Sequence, residues 1–294
     1  GPLNATAFPN TIEYNGANQT ILNLVAGTGG YHNLIFSNSG TKTMMPTSGG
    51  VALKINGDFT ISGTAFGTAV NPLATKGNFI INPTAGFTTG AFTHQIGGNF
   101  SSNGSFTASN GSTLEMNGTA SQSIGGAATP LLLNNLSISN TGGTVSTARD
   151  LTVSGDFTNS GILNMGSSIL SVTNTISNTG TLLTGVPAAQ SLTPFPSGKN
   201  WGGTVVYNVD AAQNAVAGNF TNLTINNGVG VKVTNAAQIG VSGTLLINSS
   251  KKLSIDASNS LTVSGAITNN GGTAGLILES NSAGNASLIH NSDN

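Results

Sequence analysis

The carboxylates are the first residues to weigh for chemistry. Glu13 lies in Thr11-Ile12-Glu13-Tyr14-Asn15-Gly16 and Glu115 in Thr113-Leu114-Glu115-Met116-Asn117-Gly118. Asp58 follows Gly57, and Asp156 follows Gly155, in a second shared phrase. Glycoside cleavage needs two carboxylates converging on one bond. Acids that return once per cycle of a repeat are instead surface positions of that repeat, and the remaining acids do not cluster along the chain. No catalytic residue is assigned on this reading.

Metal and cofactor chemistry fare no better. His32, His94 and His290 are far apart and in unlike contexts. Zinc wants three or four convergent ligands. Thiolate sites and disulfides are excluded because the chain has no cysteine. No G-x-S-x-G elbow, P-loop or dinucleotide-binding glycine motif follows a strand pattern, and no cofactor is expected. The only Trp, Trp201, lies near Phe195, Lys199 and Tyr207. These residues offer a loop contact surface, Phe195, Lys199 and Trp201, with the aromatics forming a platform on which a sugar could stack. The alternative is that Trp201 anchors the loop against the body of the protein.

The elements that would position these residues come from a repeat. Thr11–Asn38, Thr113–Asn140 and Thr204–Asn227 are variants of one phrase. Each opens on an alternating strand pattern, passes a Gln (Gln19, Gln122, Gln213), and closes on Asn-Leu-x-Ile/Phe. The interval from Thr11 to Asn33 recurs unchanged from Thr113 to Asn135, and it is slightly shorter from Thr204 to Asn222. These intervals suit one coil of a β-solenoid. A second phrase, Leu53–Gly63, returns as Leu151–Gly161 and in degenerate form at Ile239–Ile247. Its Gly sits between two short strands, where positive φ or a sharp bend costs least.

The expected fold is all-β: a parallel β-helix (β-solenoid) of short strands and Asn/Gly turns, with about 20–24 residues per coil. The period-2 pattern turns Ile12, Tyr14, Leu34, Phe36, Leu114, Met116, Leu136, Ile138, Leu151, Val153, Val205, Tyr207, Leu223 and Ile225 inward. Stacked coils disfavour charge, since like charges would lie above one another. That accounts for 6% charged residues. Stacking also favours amide ladders, for which Asn38, Asn140 and Asn226 are candidates. Residues 3–294 form one solenoid segment on this reading. An irregular stretch at 64–92 is marked by Pro72 and Pro83, and a loop excursion at 183–203 by Pro187, Pro194 and Pro196. Gly1-Pro2 reads as a tag-removal scar. The lack of a terminal cap suggests a piece of a longer protein.

Composition narrows the partners. The eight Lys and Arg are scattered, with Lys251-Lys252 the only adjacent pair, whereas nucleic-acid binding relies on basic clusters. Short aliphatic runs such as Leu131-Leu132-Leu133 cannot span a bilayer. Neither nucleic acid nor membrane insertion is expected.

The patterns at Val205–Gln213, Phe220–Gly228 and Leu151–Gly161, with echoes over most of residues 11–280, resemble tandem repeats of very large secreted or surface proteins of Bacteroidetes-type bacteria. Those proteins look adhesin-like and are often exported by a type IX system. The resemblance implies a secreted or cell-surface location and a non-catalytic structural or adhesive role. The partners it implies are neighbouring segments of the same polypeptide and surface glycans or host and environmental surfaces. A glycan-binding or glycan-cleaving β-helix is the first alternative. An ice- or crystal-surface binder is the second, and it would need flat ranks of Thr. Thr41-Lys42-Thr43 and Thr173-Asn174-Thr175 have the T-x-T spacing of such binders, too few to form ranks.

Overall fold

The computed structural model describes residues 5–22, 30–46, 50–127, 129–234 and 238–291. Gly1-Pro2 lies outside them. Short strands dominate, from Lys199–Asn200 at the short end to Ser39–Met44 at the long end. The helical turns Ala188–Gln190 and Gly272–Ala274 are short. No described helix is long and apolar enough to cross a membrane. The described strand pairings are parallel except for the small hairpin Ser280–Asn281 with Gly284–Asn285. Parallel pairing between successive coils is what separates a solenoid from a hairpin-built sandwich.

The chain divides into two compact units, Gly1–Asp156 and Phe157–Asn294. Each is a β-solenoid. In the first, Thr11–Tyr14, Asn33–Phe36, Phe59–Ile61, Phe79–Ile81, Phe100–Ser102, Gln122–Gly125 and Thr144–Thr147 are consecutive neighbours in one parallel sheet. In the second, Ile162–Asn164, Thr181–Thr184, Thr204–Tyr207, Asn222–Ile225, Leu245–Ile247 and Ile267–Asn269 do the same. Other faces of each coil are closed by further parallel sheets.

The repeat spacing is the pairing register. Thr11 pairs with Asn33, Thr113 with Asn135 and Thr204 with Asn222. Coil lengths vary more widely than the repeat suggests, because corners absorb insertions. Leu34 takes a longer step along the chain to reach its partner Phe59, and Thr204 a shorter one to reach Asn222. Of the residues expected to point inward, all are buried except Ile12 and Tyr14. Those two are half-buried, on a strand paired on one edge only. Glu13 is exposed between them.

Stacking aligns like with like. Phe59 pairs with Phe79 and Phe79 with Phe100. The Phe59 and Phe79 rings stack at 4.8 Å, and Phe36 meets Phe59 edge-on at 4.9 Å. All four rings are fully buried. Each such pair adds about 0.5–1.5 kcal/mol beyond area burial.

Residues 64–92 are regular, contrary to expectation. Thr64–Thr68, Leu73–Thr75, Phe79–Ile81 and Gly86–Thr88 are strands in register with the coils on either side. Pro72 and Pro83 mark corners, where a missing N–H interrupts no ladder. Pro72 still accepts Leu53 N–H through its carbonyl at 2.9 Å.

Candidate functional surfaces

The bore carries isolated polar groups with no shared centre. In the first unit His94 is buried and neutral. Its Nε2–H donates to the Thr89 carbonyl at 2.8 Å, while Nδ1 accepts Leu73 N–H at 3.3 Å. Burial pushes its pKa down to about 4, against a weaker upward pull from the Thr89 carbonyl. Lys42 is also buried, and its ammonium donates to the carbonyls of Ala17 at 2.9 Å, Ser39 at 2.6 Å and Gly16. Burial lowers its pKa as well. Arg149 donates Nη1 to the Gly125 carbonyl at 2.7 Å, but its Nε and Nη2 have no partner. Burial pulls the guanidinium pKa down. His32 is half-buried beneath the edge of Phe8. In the second unit His290 is exposed, its ring bonded to the Gly265 carbonyl at 2.9 Å. Among the described residues, no three His, Asp or Glu side chains gather around a common point that could hold a metal.

The repeated acids occupy corners and outer faces. Glu115 accepts from Gln95 Nε2 at 3.1 Å and from Ser139 Oγ at 2.7 Å. Glu13 accepts from Ser37 Oγ in the same manner. Asp58 Oδ1 accepts the backbone N–H of Asn78 at 2.7 Å.

That last contact belongs to a corner ladder. Asn33 Oδ1 accepts Asp58 N–H, Asn78 Oδ1 accepts Asn99 N–H, and Asn99 Oδ1 accepts Ser123 N–H, at 3.0, 2.9 and 2.8 Å. The ladder runs through Asn33, Asp58, Asn78 and Asn99 rather than through Asn38, Asn140 and Asn226. Asn38 takes a left-handed φ of 63° and donates to the Asn15 carbonyl. Asn226 does join a separate ladder with Asn208 and Asn248 in the second unit.

Asn140 has another role. Its Nδ2 donates to Gln122 Oε1 at 2.8 Å, and its Oδ1 accepts Gly142 and Gly143 N–H. Gln122 Nε2 in turn donates to the carbonyls of Ile96, at 2.8 Å, and Gly98. The second unit repeats the device: Asn227 Nδ2 donates to Gln213 Oε1 at 2.9 Å, and Asn227 Oδ1 accepts Val229 and Gly230 N–H. In two of the three copies, at Gln122 and Gln213, the recurrent Gln is therefore a buried interlock between coils; in the first, Gln19 is half-buried and accepts Gly16 N–H of its own turn at 2.7 Å.

The 183–203 excursion folds inward. Its first residues complete strand Thr181–Thr184, and Lys199–Asn200 re-enters a sheet against Gly218–Phe220. Phe195 and Trp201 are buried, with ring centroids 4.6 Å apart. Trp201 Nε1 donates to the Pro196 carbonyl at 3.3 Å. Lys199 ties down to the carbonyls of Thr173 and Asn174 at 3.1 and 3.2 Å. The aromatics therefore anchor the loop and do not form the exposed platform, because apolar area is worth more inside the bore than on the loop.

Among the features that remain outward are two hollows and a threonine rank. In the second unit a hollow of about 580 Å³ runs over Asn200, Asn219, Gly240, Thr262, Ser242 and Ser260. In the first unit an equal hollow lies over Lys54, Asn56, Lys76, Gln95, Gly97 and Asn117. On another face of the first unit, Thr20 pairs with Thr43, Thr43 with Thr68, Thr68 with Thr88 and Thr88 with Thr107. These threonines stand one per coil, about 4.8 Å apart, and none of them is buried. The T-x-T spacing in the sequence did not reveal this rank, because its members come from different coils. The repeat interval does not reveal the lysine pair either, because the local coil takes Lys54 to Ala74 and Lys76 lies two residues beyond.

Compared with protein-family models, curated proteins and solved structures, the chain matches none.

Proposed function

We propose that this chain is a non-catalytic structural and adhesive segment of a large secreted or cell-surface bacterial protein, serving as a rigid stalk or display scaffold. The observation that carries this reading is the coil interlock, built alike as Gln122–Asn140 and Gln213–Asn227. Buried amide networks that satisfy their donors and acceptors rigidify the structure around them. Together with backbone ladders they resist sliding of one coil on the next, which is what a support under tension needs. Its partners are neighbouring segments of the same polypeptide and the surfaces its outer faces meet. The test is single-molecule stretching of the chain between handles. Stepwise, high-force release of coils is expected, and extension at low force without steps would overturn the scaffold role. Cleavage of a purified polysaccharide, abolished by replacing one acid, would refute the non-catalytic part.

The threonine rank favours a second reading, binding to a crystalline surface. An evenly spaced, uncharged row of methyl and hydroxyl groups matches a periodic lattice better than a soluble ligand. Thermal hysteresis and recrystallisation assays in ice, with Thr68→Lys as the comparison, test it. Equal behaviour of the two proteins would remove this reading.

A further inference from the structure

The Lys54 hollow has a construction that the scaffold role does not require. Register places Lys54, Ala74, Gln95 and Glu115 in one outward rank across successive coils. Further along the same strands and their ends, Asn56, Lys76, Gly97 and Asn117 form a second. The floor is low because Ala74 and Gly97 contribute almost no side chain. Lys54 and Lys76 are both exposed on neighbouring coils, and among the described residues neither forms an ion pair with an acid. Glu115, the carboxylate in the first rank, is already engaged by Gln95 and Ser139. Lys54 faces Ala74 across the ladder and Lys76 stands two residues further on, so both ammonium groups overlook one hollow with no ion-paired acid among the described residues.

We infer that this hollow binds an acidic polysaccharide, with a carboxylate or sulfate held between Lys54 and Lys76 and sugar hydroxyls meeting the amides of Asn56, Gln95 and Asn117. The lining has no aromatic residue, which disfavours nucleobases, since those bind by stacking on aromatic rings. Primary amides donate and accept, as paired sugar hydroxyls require. This inference rests on the adhesive reading and supplies its ligand class.

The experiment is equilibrium binding of the whole chain to polygalacturonate, dextran sulfate and uncharged dextran, matched for length. Binding to one or both acidic polymers, and not to dextran, is expected, and the two acidic arms separate carboxylate from sulfate recognition. Affinity should fall as salt rises, as for any exposed charge pairing. Lys54→Gln and Lys76→Gln should each weaken binding about two- to fivefold, the range for an exposed ion pair. Lys54→Glu combined with Lys76→Glu should lose it, and Lys54→Arg combined with Lys76→Arg should keep it. Lys232→Gln is the control, because Lys232 already faces Asp256 at 3.3 Å and Glu279 at 3.9 Å. Its binding should match the parent. Equal binding to dextran, or no loss in the Lys54/Lys76 variants, would overturn the inference. If the chain adheres to surfaces but to neither acidic polymer, this inference fails while the adhesive reading stands.

Discussion

The side-chain oxygen of Asn135 accepts the backbone N–H of Asp156 at 2.8 Å, and a Cβ on the intervening Gly155 would collide with that same oxygen. The two phrases of the repeat, Asn-Leu-x-Ile and Gly-Asp-Phe, are therefore two halves of one contact. Asn33 with Gly57-Asp58 and Asn222 with Gly243-Thr244 repeat it. None of these glycines takes a positive φ. Glycine is required by close approach, not by the left-handed conformation its turn position suggested.

A double-mutant cycle measures this coupling. Asn135→Ala should cost about 1 kcal/mol for the lost hydrogen bond. Gly155→Ala should cost about 1–3 kcal/mol by overpacking. The double variant should be less destabilised than the sum, since removing the Asn135 amide relieves the collision. Additive values from denaturant melts would mean that the two residues do not act through each other.

His94 makes stability fall in acid. Its folded pKa of about 4 lies below the ordinary 6.5, so the unfolded chain binds the proton more readily. The stability it supports is full above pH 6.5 and is lost as pH falls toward 4, by about 3 kcal/mol in all. His94→Gln should flatten that part of the stability profile relative to the parent. Parallel profiles for parent and variant would show that His94 does not titrate this way.

The two buried cations should respond oppositely to an apolar replacement. Lys42→Met strands three carbonyls that its ammonium now satisfies, and about 2–4 kcal/mol of stability should go with it. Arg149→Met also frees the carbonyls of Gly125 and Ser102, yet it removes a buried charge whose Nε and Nη2 nitrogens are already unpaired. That change should be neutral or stabilising, by up to about 4 kcal/mol. Thermal or denaturant melts of both variants decide it, and a large loss in Arg149→Met would contradict the account.

Trp201 reports on the excursion loop directly, as the only Trp in the chain. Burial predicts blue-shifted emission, resistance to acrylamide quenching and no change on adding soluble sugars. Trp201→Ala should cost about 3–5 kcal/mol. Red, readily quenched emission would restore the exposed platform in place of the anchor.

Much of the fold was legible in the chain, because a parallel coil writes itself there twice. Inward residues alternate, so Leu136 and Ile138 declare themselves against Ser137. Each coil also recurs at the pairing distance, so the step from Thr113 to Asn135 could be counted before it was seen. Which face a phrase would occupy was not legible. Thr11–Tyr14 and Thr113–Met116 are the same phrase, yet they lie in different sheets of the first unit. Every face of a coil asks for the same alternation, so the pattern cannot distinguish one from another. Proline at 72 and 83 likewise read as departure from the coil when it marks corners. Phe195 and Trp201 left display and anchoring both open in the sequence, and burial decides for the anchor. Alternation, coil and inward apolar set were present in the residues alone, since they follow from local geometry and water's exclusion of apolar surface. The outward threonine rank, the amide interlocks and the lysine hollow needed the folded coil. Corners of unequal length separate Thr20, Thr43, Thr68, Thr88 and Thr107 by intervals with no fixed period, and stacking brings together residues a full coil apart that no local rule connects.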